Sequence, residues 1–234
     1  MLKEVYTNQP IFINSAWGII SLYILLRFIL NLFIYGAGGH AKVVAESAIN
    51  LIKFSNITFI DDNAQIENFI RNNKNFSLIS ESGILEGLNN ANAIIGIGDN
   101  QIRQSIAKRC LKIPFTSIAS SNAIISKSAQ ILDGSFISSG VVINADASIG
   151  KHTIINTGSV IEHDCIIGDF CHVGPSSSIA GGVKLGENIF IGGGTYVNPN
   201  ISICSNVIVG SGSLVIYDIH EPGTYIGSPV KKIK

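Results

Sequence analysis

The chain has 234 residues with 16 basic and 16 acidic side chains, so its formal net charge at neutral pH is zero. This balance lacks the basic surface that nucleic-acid binding requires, so we expect no nucleic-acid partner. Hydrophobic residues make up 46% of the chain and charged residues 14%, enough apolar material for one large domain or two smaller ones.

Residues 1–30 form an extra hydrophobic segment. Arg27 interrupts its most apolar part, and about eleven uncharged residues precede that arginine, fewer than the ~20 that span a bilayer. A basic start and a cleavage site are lacking, which disfavours a secretory signal. Three interpretations stay open: a segment ahead of a true start near Leu30, a membrane-associated helix, or a packed helix.

Residues 31–118 predict a small Rossmann-like α/β domain with a parallel sheet. Short apolar runs predict strands over 32–35, 57–60 and 93–98, and apolar periodicity predicts helices over 41–52 and 100–111. The strands and helices alternate, which is typical of parallel sheets.

The first strand of this domain runs into a glycine-rich turn, Gly36-Ala37-Gly38-Gly39-His40. Such a turn at the start of a helix can hold phosphate on its backbone N–H groups. Asp61 and Asp62 follow the second strand, where doubly wound folds contact ribose or base. The pattern favours a nucleotide or nucleotide sugar, with purely structural glycines as the alternative. It is not G-x-G-x-x-G, so NAD is not predicted.

Every sixth residue from Ile125 to Val215 is aliphatic, and the residue four places later is small, thiol or β-branched. Neither a helix nor simple alternation has this period, so the pattern indicates an internal repeat. It predicts a parallel β-helix over 119–218, with three hexads to a triangular coil and about five coils, and a cap over 219–234. Glycines after the aliphatic residue, such as Gly150 and Gly168, are expected to relax the backbone at turns.

Cys165 and Cys171 occupy consecutive small-residue positions of the repeat. We therefore interpret them as core filling rather than as metal ligands or disulfide partners. Free thiols fit a reducing compartment, and a cytoplasmic protein is predicted.

Two histidines on the repeat are candidates for chemistry. His163 is third in its hexad, near a corner and pointing outward, between Glu162 and Asp164; a neighbouring carboxylate fixes the imidazole tautomer and stabilises its protonated form. His172 follows nine residues later, half of an 18-residue coil, so the two side chains should lie on different sides of the prism. If both serve one site, they meet between two copies, which predicts a homo-oligomer, and a trimer for a three-sided prism.

A metal site is the rival interpretation of these histidines, since some hexapeptide prisms are zinc carbonic anhydrases. The spacings of eleven and nine residues between His152, His163 and His172 do not match that ligand pattern. No metal is therefore predicted.

Five motifs in the same order resemble the family of sialic acid O-acetyltransferases and bacillosamine N-acetyltransferases, which are hexapeptide-repeat sugar acyltransferases. The motifs are Ile34-Tyr35-Gly36-Ala37-Gly38-Gly39-His40-Ala41-Lys42, Phe59-Ile60-Asp61-Asp62, Ile95-Gly96-Ile97-Gly98-Asp99-Asn100, the run from Val160 to Cys165, and Gly227-Ser228-Pro229-Val230-Lys231. The resemblance implies a homotrimer with an N-terminal nucleotide-sugar domain and a C-terminal left-handed β-helix that uses acetyl-CoA. Residues 1–30 have no counterpart in it.

The resemblance also implies roles for single residues. His163 matches the general base and Asp164 the neighbouring acid, where relatives often have Glu. His172 matches the residue that contacts the acetyl carbonyl of acetyl-CoA, and Gly193 and Ser211 match backbone positions along the cofactor cleft. The positions that hold the nucleotide of the sugar substrate match Gly38, Gly39, His40, Asp61, Asp62 and Gly98.

The predicted function is direct transfer of acetyl from acetyl-CoA to the amino group of a nucleotide-linked amino sugar, in glycan or surface-polysaccharide synthesis. O-acetylation of a sialic-acid-type sugar by the same residues is one alternative. A non-catalytic trimeric scaffold is another.

Overall fold

The computed structural model describes residues 30–51, 54–61, 76–79, 91–110 and 114–234. The apolar segment before Leu30, the end of the helix predicted over 100–111, and Asp62 lie outside the described residues. Within these ranges, no helix is long and apolar enough to cross a bilayer.

The first domain is a parallel sheet with a helix on each face. The described strands are β1 (Leu30–Tyr35), β2 (Phe54–Ile60), β3 (Phe76–Ile79) and β4 (Ala91–Ile95), in the order β3-β2-β1-β4, and the helices are α1 (Gly39–Ile49) and α2 (Asn100–Arg109). Alternation along β1 sends Leu32 and Ile34 to the core under α1, and Phe33 and Tyr35 to the core under α2. The strand order reverses between β1 and β4, and ligands of doubly wound sheets bind at that switch point.

Several bounds differ from the sequence-based expectation. The strand predicted over 93–98 ends at Ile95, because Gly96 meets α1: a Cβ there would lie 2.8 Å from the Cα of Ala41. Gly98 consequently lies in a loop beyond the sheet. Helix α1 begins two residues before the predicted range and ends three before its end. Strand β3 was not predicted, since four residues in a polar stretch carry little periodicity.

The second domain is a three-sided, left-handed parallel β-helix. Face 1 consists of β5 (Ile118–Ala119), β8 (Phe136–Ile137), β11 (Ile154–Ile155), β14 (His172–Val173), β17 (Phe190–Ile191), β20 (Val207–Val209), β22 (Gly223–Gly227) and the antiparallel β23 (Val230–Lys232). Face 2 consists of β6 (Ile124–Ile125), β9 (Val142–Ile143), β12 (Val160–Ile161), β15 (Ser178–Ile179), β18 (Tyr196–Val197) and β21 (Leu214–Val215). Face 3 consists of β7 (Gln130–Ile131), β10 (Ser148–Ile149), β13 (Ile166–Ile167), β16 (Lys184–Leu185) and β19 (Ser202–Ile203).

The repeat continues further than its aliphatic residues suggest. Six rungs from β5 to β20 stack on face 1, where about five coils were predicted from the repeat. The extra rung contains Ala119 at the aliphatic position, so the sequence pattern began one hexad late. Strand β5 also straddles the predicted domain boundary at 118/119.

The interior of the prism contains both sets of repeat residues. Ile161 and Ile167 represent the aliphatic positions, and Cys165 and Cys171 the small positions; all four are buried in one continuous core. The prediction that these thiols fill the core is confirmed. Burial raises the pKa of Cys171 to about 12, so its thiol stays protonated at neutral pH.

The glycines after the aliphatic residue have another purpose than the one predicted. Left-handed φ angles occur two residues later in the turn, as at Gly158 (67°) and Asp164 (60°). At Gly150 a Cβ would lie 2.5 Å from the carbonyl carbon of Gly168 in the next coil. The expectation of a relaxed backbone was therefore wrong, and close stacking of coils is what requires glycine there.

The first domain packs against face 1. Phe136 and Ile154 point out of the prism and join Leu32, Ile34 and Ala41 in a single buried cluster. This shared core sets the loop after β4 and the start of α2 over the same face as His172.

Candidate active site

A cavity of about 700 Å³ lies where the start of α2 faces the prism. Carboxamide side chains, one aromatic ring and one carboxylate dominate its wall, and no lysine or arginine lines it among the described residues. The lining residues are Gly98, Asp99, Asn100 and Gln101 from the first domain, and His172, Asn188, Phe190, Asn206 and Ile208 from face 1. Such a lining suits a neutral or cationic polar ligand better than an anion.

His172 connects the two domains at this cavity. Its Nδ1 lies 3.0 Å from the carbonyl oxygen of Gly98, and its Nε2 lies 3.1 Å from Nδ2 of Asn156. A carbonyl only accepts, so the proton is on Nδ1 and Nε2 accepts from the carboxamide. Burial is the main cause that lowers the pKa of His172 to about 4, so the ring is neutral at pH 7.

The orientation of the Asn156 carboxamide follows from its other bond. Its Oδ1 accepts the backbone N–H of Thr157 at 2.8 Å, which turns Nδ2 toward His172. The nitrogen carries a second hydrogen that the bond to His172 does not use. Sequence reasoning missed Asn156, because asparagine is common at the corners of this repeat.

His40 is a partly buried histidine beside His172. Its ring centroid lies 6.2 Å from that of His172 and 5.4 Å from that of Phe136. Burial, and then the positive charges that His172 and Arg103 can carry, lower the pKa of His40 to about 4. Its buried Nε2 has no hydrogen-bond partner within the described part of the chain. A ligand that bonds to Nε2 would satisfy this nitrogen.

The glycine-rich turn presents open backbone to solvent. Gly38 precedes α1 with no side-chain cap, and a Cβ at Gly38 or Gly39 would meet nothing within 4 Å. Exposed N–H groups at the start of an eleven-residue helix fit a phosphate. Asp61 accepts the N–H of Ala37 at 2.8 Å, so it braces this turn from the end of β2. A smaller cavity of about 140 Å³ adjoins Asp61 and Gly36.

His163 lies on a different part of the prism. It is at the corner between β12 of face 2 and β13 of face 3, with 63% of its side chain exposed. Its Nδ1 donates to Oδ2 of Asp164 at 2.7 Å, and this bond is the first cause that raises the pKa of His163. Its Nε2 is thereby the nitrogen that can accept a proton.

His163 and His172 therefore lie on different sides of one prism, as their spacing predicted. Gly193 and Ser211 lie with Asn156 at the corner between faces 1 and 2, one coil apart from each other. One chain thus brings together His40, Gly98 and His172, with Gly193 and Ser211 on an adjoining corner, and leaves His163 and Asp164 apart.

Arg103 is the second residue that sequence reasoning missed. Its side chain is 0% exposed, and its guanidinium bonds to carbonyl oxygens of both domains. On the sequence it is simply a basic residue in a helix with other basic residues. Within the described ranges, no three His, Cys, Asp or Glu side chains gather as they would around a metal ion.

Comparison with known proteins matches both domains. Residues 31–110 match the PglD N-terminal domain, and residues 146–181 match the bacterial transferase hexapeptide (six repeats). Comparison with curated protein sequences finds no match.

Three solved structures are similar over most of the chain. The acetyltransferase domain of PglB from Neisseria gonorrhoeae, solved with acetyl coenzyme A, has a TM-score of 0.81 and 29% identity, covering 88% of this chain and 100% of that one. PerB from Caulobacter crescentus, solved with CoA and GDP-perosamine, has a TM-score of 0.78 and 33% identity over 87% of this chain and 97% of that one. WeeI from Acinetobacter baumannii has a TM-score of 0.77 over 87% and 100%, and at 21% identity it shows the fold alone. With both domain models in order and 33% identity across both domains, the chain belongs to the hexapeptide-repeat sugar acyltransferases and is an acetyltransferase.

Proposed function

We propose that this enzyme transfers acetyl from acetyl-CoA to the amino group of a nucleotide-linked amino sugar, for glycan or surface-polysaccharide synthesis in the cytoplasm. The hydrogen bond between His172 and Gly98 carries the proposal. This bond holds the loop that follows β4, at the carboxyl edge of the first domain's sheet, against the prism. A nucleotide bound at that edge can therefore extend its sugar along face 1. The similar protein PerB was solved with both CoA and GDP-perosamine, which supports an acyl carrier and a nucleotide-linked sugar as the two substrates.

The charge of the cavity favours an amino sugar over a sialic acid. Asp99 contributes a carboxylate, of which Oδ1 accepts the N–H of Ile102 as the cap of α2. An ammonium group gains from such a neighbour, whereas the carboxylate of a sialic acid would be repelled by it. Phe190 offers a flat apolar surface and the carboxamides offer bonds to hydroxyls, which suits a sugar ring.

The corner between faces 1 and 2 fits a long, flexible acyl carrier. Gly194 and Gly212 are exposed there with open space where a Cβ would be, and Gly193 and Ser211 precede them in successive coils. Backbone groups along this corner suit the amide-containing arm of CoA. At the end of face 1, β23 carries Lys231 and Lys232, of which Lys232 pairs with Glu221 at 2.8 Å. Acetyl-CoA would supply the thioester acyl group.

His163 serves as the general base of the transfer. As the amine adds to the thioester carbonyl, an N–C bond forms and the ammonium proton passes to Nε2 of His163. The C–S bond then breaks, and CoA leaves as a thiolate that is protonated to the free thiol. The second N–H of Asn156, held in place by His172, donates to the oxyanion. Such base assistance accelerates a reaction by about 10²–10⁴-fold.

The site is completed between two copies of the chain in a homotrimer. His163 is too far around the prism to meet the cluster of Asn156 and His172 on its own chain. A neighbouring prism that presents its corner between faces 2 and 3 to this cluster would supply His163. Exposed Ile166 on face 3, next to that corner, and exposed Ile208 on face 1 offer apolar surface for such contact.

A thiol-release assay tests the function. The enzyme is supplied with acetyl-CoA and, in turn, with UDP- and GDP-linked 4-amino sugars, the corresponding 4-hydroxy sugars, and free sialic acid. We expect free CoA only with an amino sugar, and the product mass should increase by one acetyl group on nitrogen. Thiol release with sialic acid alone would establish O-acetylation, and absence of both turnover and acetyl-CoA binding would establish a scaffold.

A further inference from the structure

Arg103 is a fully buried cation whose guanidinium donates hydrogen bonds to uncharged oxygen atoms only, among the described residues. Burial is the main cause that lowers its pKa to about 10, so it is still protonated at neutral pH. Its acceptors are the carbonyl oxygens of His152 (2.7 Å), Ile97 (3.0 Å), Gly98 (3.2 Å), Phe170 (3.0 Å) and Cys171 (3.1 Å), and Oδ1 of Asn100 (2.7 Å). A desolvated charge is tolerated only where bonds of this number replace water.

These acceptors come from both domains. Ile97 and Gly98 belong to the loop between β4 and α2 and Asn100 begins α2, whereas the other three acceptors belong to two neighbouring coils of the prism. Arg103 therefore holds the loop between β4 and α2 of the first domain against two particular coils of the prism. The last prism acceptor, Cys171, directly precedes His172.

Arg103 and His172 also share one acceptor. The carbonyl oxygen of Gly98 accepts from Nη1 of Arg103 at 3.2 Å and from Nδ1 of His172 at 3.0 Å. A carbonyl oxygen has two lone pairs, so both are used and its direction is fixed. In water the Nε2–H tautomer of a neutral imidazole competes with the Nδ1–H form, and a fixed acceptor at Nδ1 selects the latter.

We propose that Arg103 is a positioning residue for acetyl transfer, which holds the Gly98 carbonyl so that His172 stays in its Nδ1–H tautomer and aims the Asn156 carboxamide at the thioester. The effect on acetyl transfer rests on the proposed function. The effect on the His172 tautomer is a property of the unliganded protein. Arg103 contacts no reacting atom and acts through Gly98 and His172.

Two substitutions test this role. Arg103→Lys keeps the charge but cannot bond the loop and two coils at once. With ¹⁵N-labelled histidine, we expect the Nδ1 and Nε2 signals of His172 in the unliganded protein to shift toward a mixture of tautomers. We expect kcat to fall about 10²-fold while KM for both substrates changes about threefold or less, since geometry rather than binding is lost. Asn100→Ala removes one acceptor of Nη2 and the bond from Nδ2 to the Ile189 carbonyl oxygen at 3.1 Å, and it also alters the cavity wall. Its readout is therefore the His172 signals of the unliganded protein, which should move less far in the same direction; it serves if Arg103→Lys does not fold.

Ile118→Ala is the matched control for weakened domain packing. Ile118 is fully buried in the cluster that joins the domains, and its aliphatic side chain takes no part in the hydrogen bonds around Gly98. It should lower Tm and leave both kcat and the His172 signals unchanged. If the Arg103 variants lower Tm but keep the wild-type tautomer or the wild-type kcat, the residue only supports the fold and the proposal is overturned. A wild-type enzyme that acetylates no acceptor contradicts the proposed function instead, and the imidazole spectrum still decides whether Arg103 sets the tautomer.

Discussion

Gly181 lies one coil beyond His163, and the Cβ that it lacks would occupy the space of the His163 imidazole. That Cβ would be 2.7 Å from Cε1 and 2.8 Å from Nε2 of the ring. Since the φ of Gly181 is not in the left-handed region, alanine is compatible with its backbone. The position of the candidate base is therefore determined by a residue of the next coil.

Gly181→Ala is predicted to displace the imidazole and to lower kcat by about 10²-fold, the cost of a misplacement near 1 Å. Stability should change little, because the exposed ring can rotate into solvent. Steady-state kinetics and thermal melting check the two statements. In the His163→Ala background the same substitution should cost nothing further, and an additive loss in the double mutant would show that Gly181 acts elsewhere.

Asp164→Asn is predicted to shift the pH dependence of turnover. The base must be unprotonated, so kcat/KM rises as pH increases through the pKa of His163. Asp164 raises that pKa by its hydrogen bond, and the amide would lower it. The acid limb of the kcat/KM profile should move to lower pH, with a lower plateau because a weaker base accepts the proton. Asp164→Glu keeps a carboxylate and should keep the limb near its wild-type position; an unmoved limb in Asp164→Asn would contradict the assignment.

Asn156→Ala is predicted to lower kcat by about 10²–10³-fold, as expected when one oxyanion donor is removed. KM for acetyl-CoA should change much less, because the bond strengthens only as negative charge develops. Asn198→Ala, at the same hexad position but on the corner between faces 2 and 3, is the matched control and should keep wild-type kcat. Equal losses in the two variants would assign the effect to the loss of an asparagine at this position of the repeat rather than to the oxyanion donor.

His40→Phe is predicted to stabilise the unliganded protein and to weaken its affinity for the nucleotide sugar. Replacing the partnerless Nε2 removes a penalty of about 1–3 kcal/mol, so the unliganded protein should melt at a higher temperature. The KM of the nucleotide sugar should rise about tenfold, the loss of one good hydrogen bond. An unchanged KM would place the nucleotide sugar away from His40.

The repeat is the part of the fold that the sequence predicted best. A strict period of six leaves one architecture, and burial of Ile161 and Cys165 follows from it directly. The first rung was missed because Ala119 does not have the aliphatic signature, and β3 because short strands leave no period.

The candidate site was predicted only where a residue carries local context. Flanking acids mark His163, and a glycine turn precedes His40. The role of Asn156 depends on His172, 16 residues away on the prism, and that of Arg103 depends on carbonyl oxygens 49 or more residues away across the domain junction, such as that of His152. No spacing along the chain encodes such contacts.

The central claim is that His163 of one chain acts on a substrate held at Asn156 and His172 of another. Co-expression of His163→Ala with Asn156→Ala chains, with different tags to isolate mixed trimers, tests it most directly. Neither variant alone should have more than residual activity, but each isolated mixed trimer should have about one third of the wild-type sites, because one of its three sites combines an intact base with an intact donor from two chains. Mixed trimers that are no more active than the two variants alone would show that each site is built from a single chain, and would contradict the account.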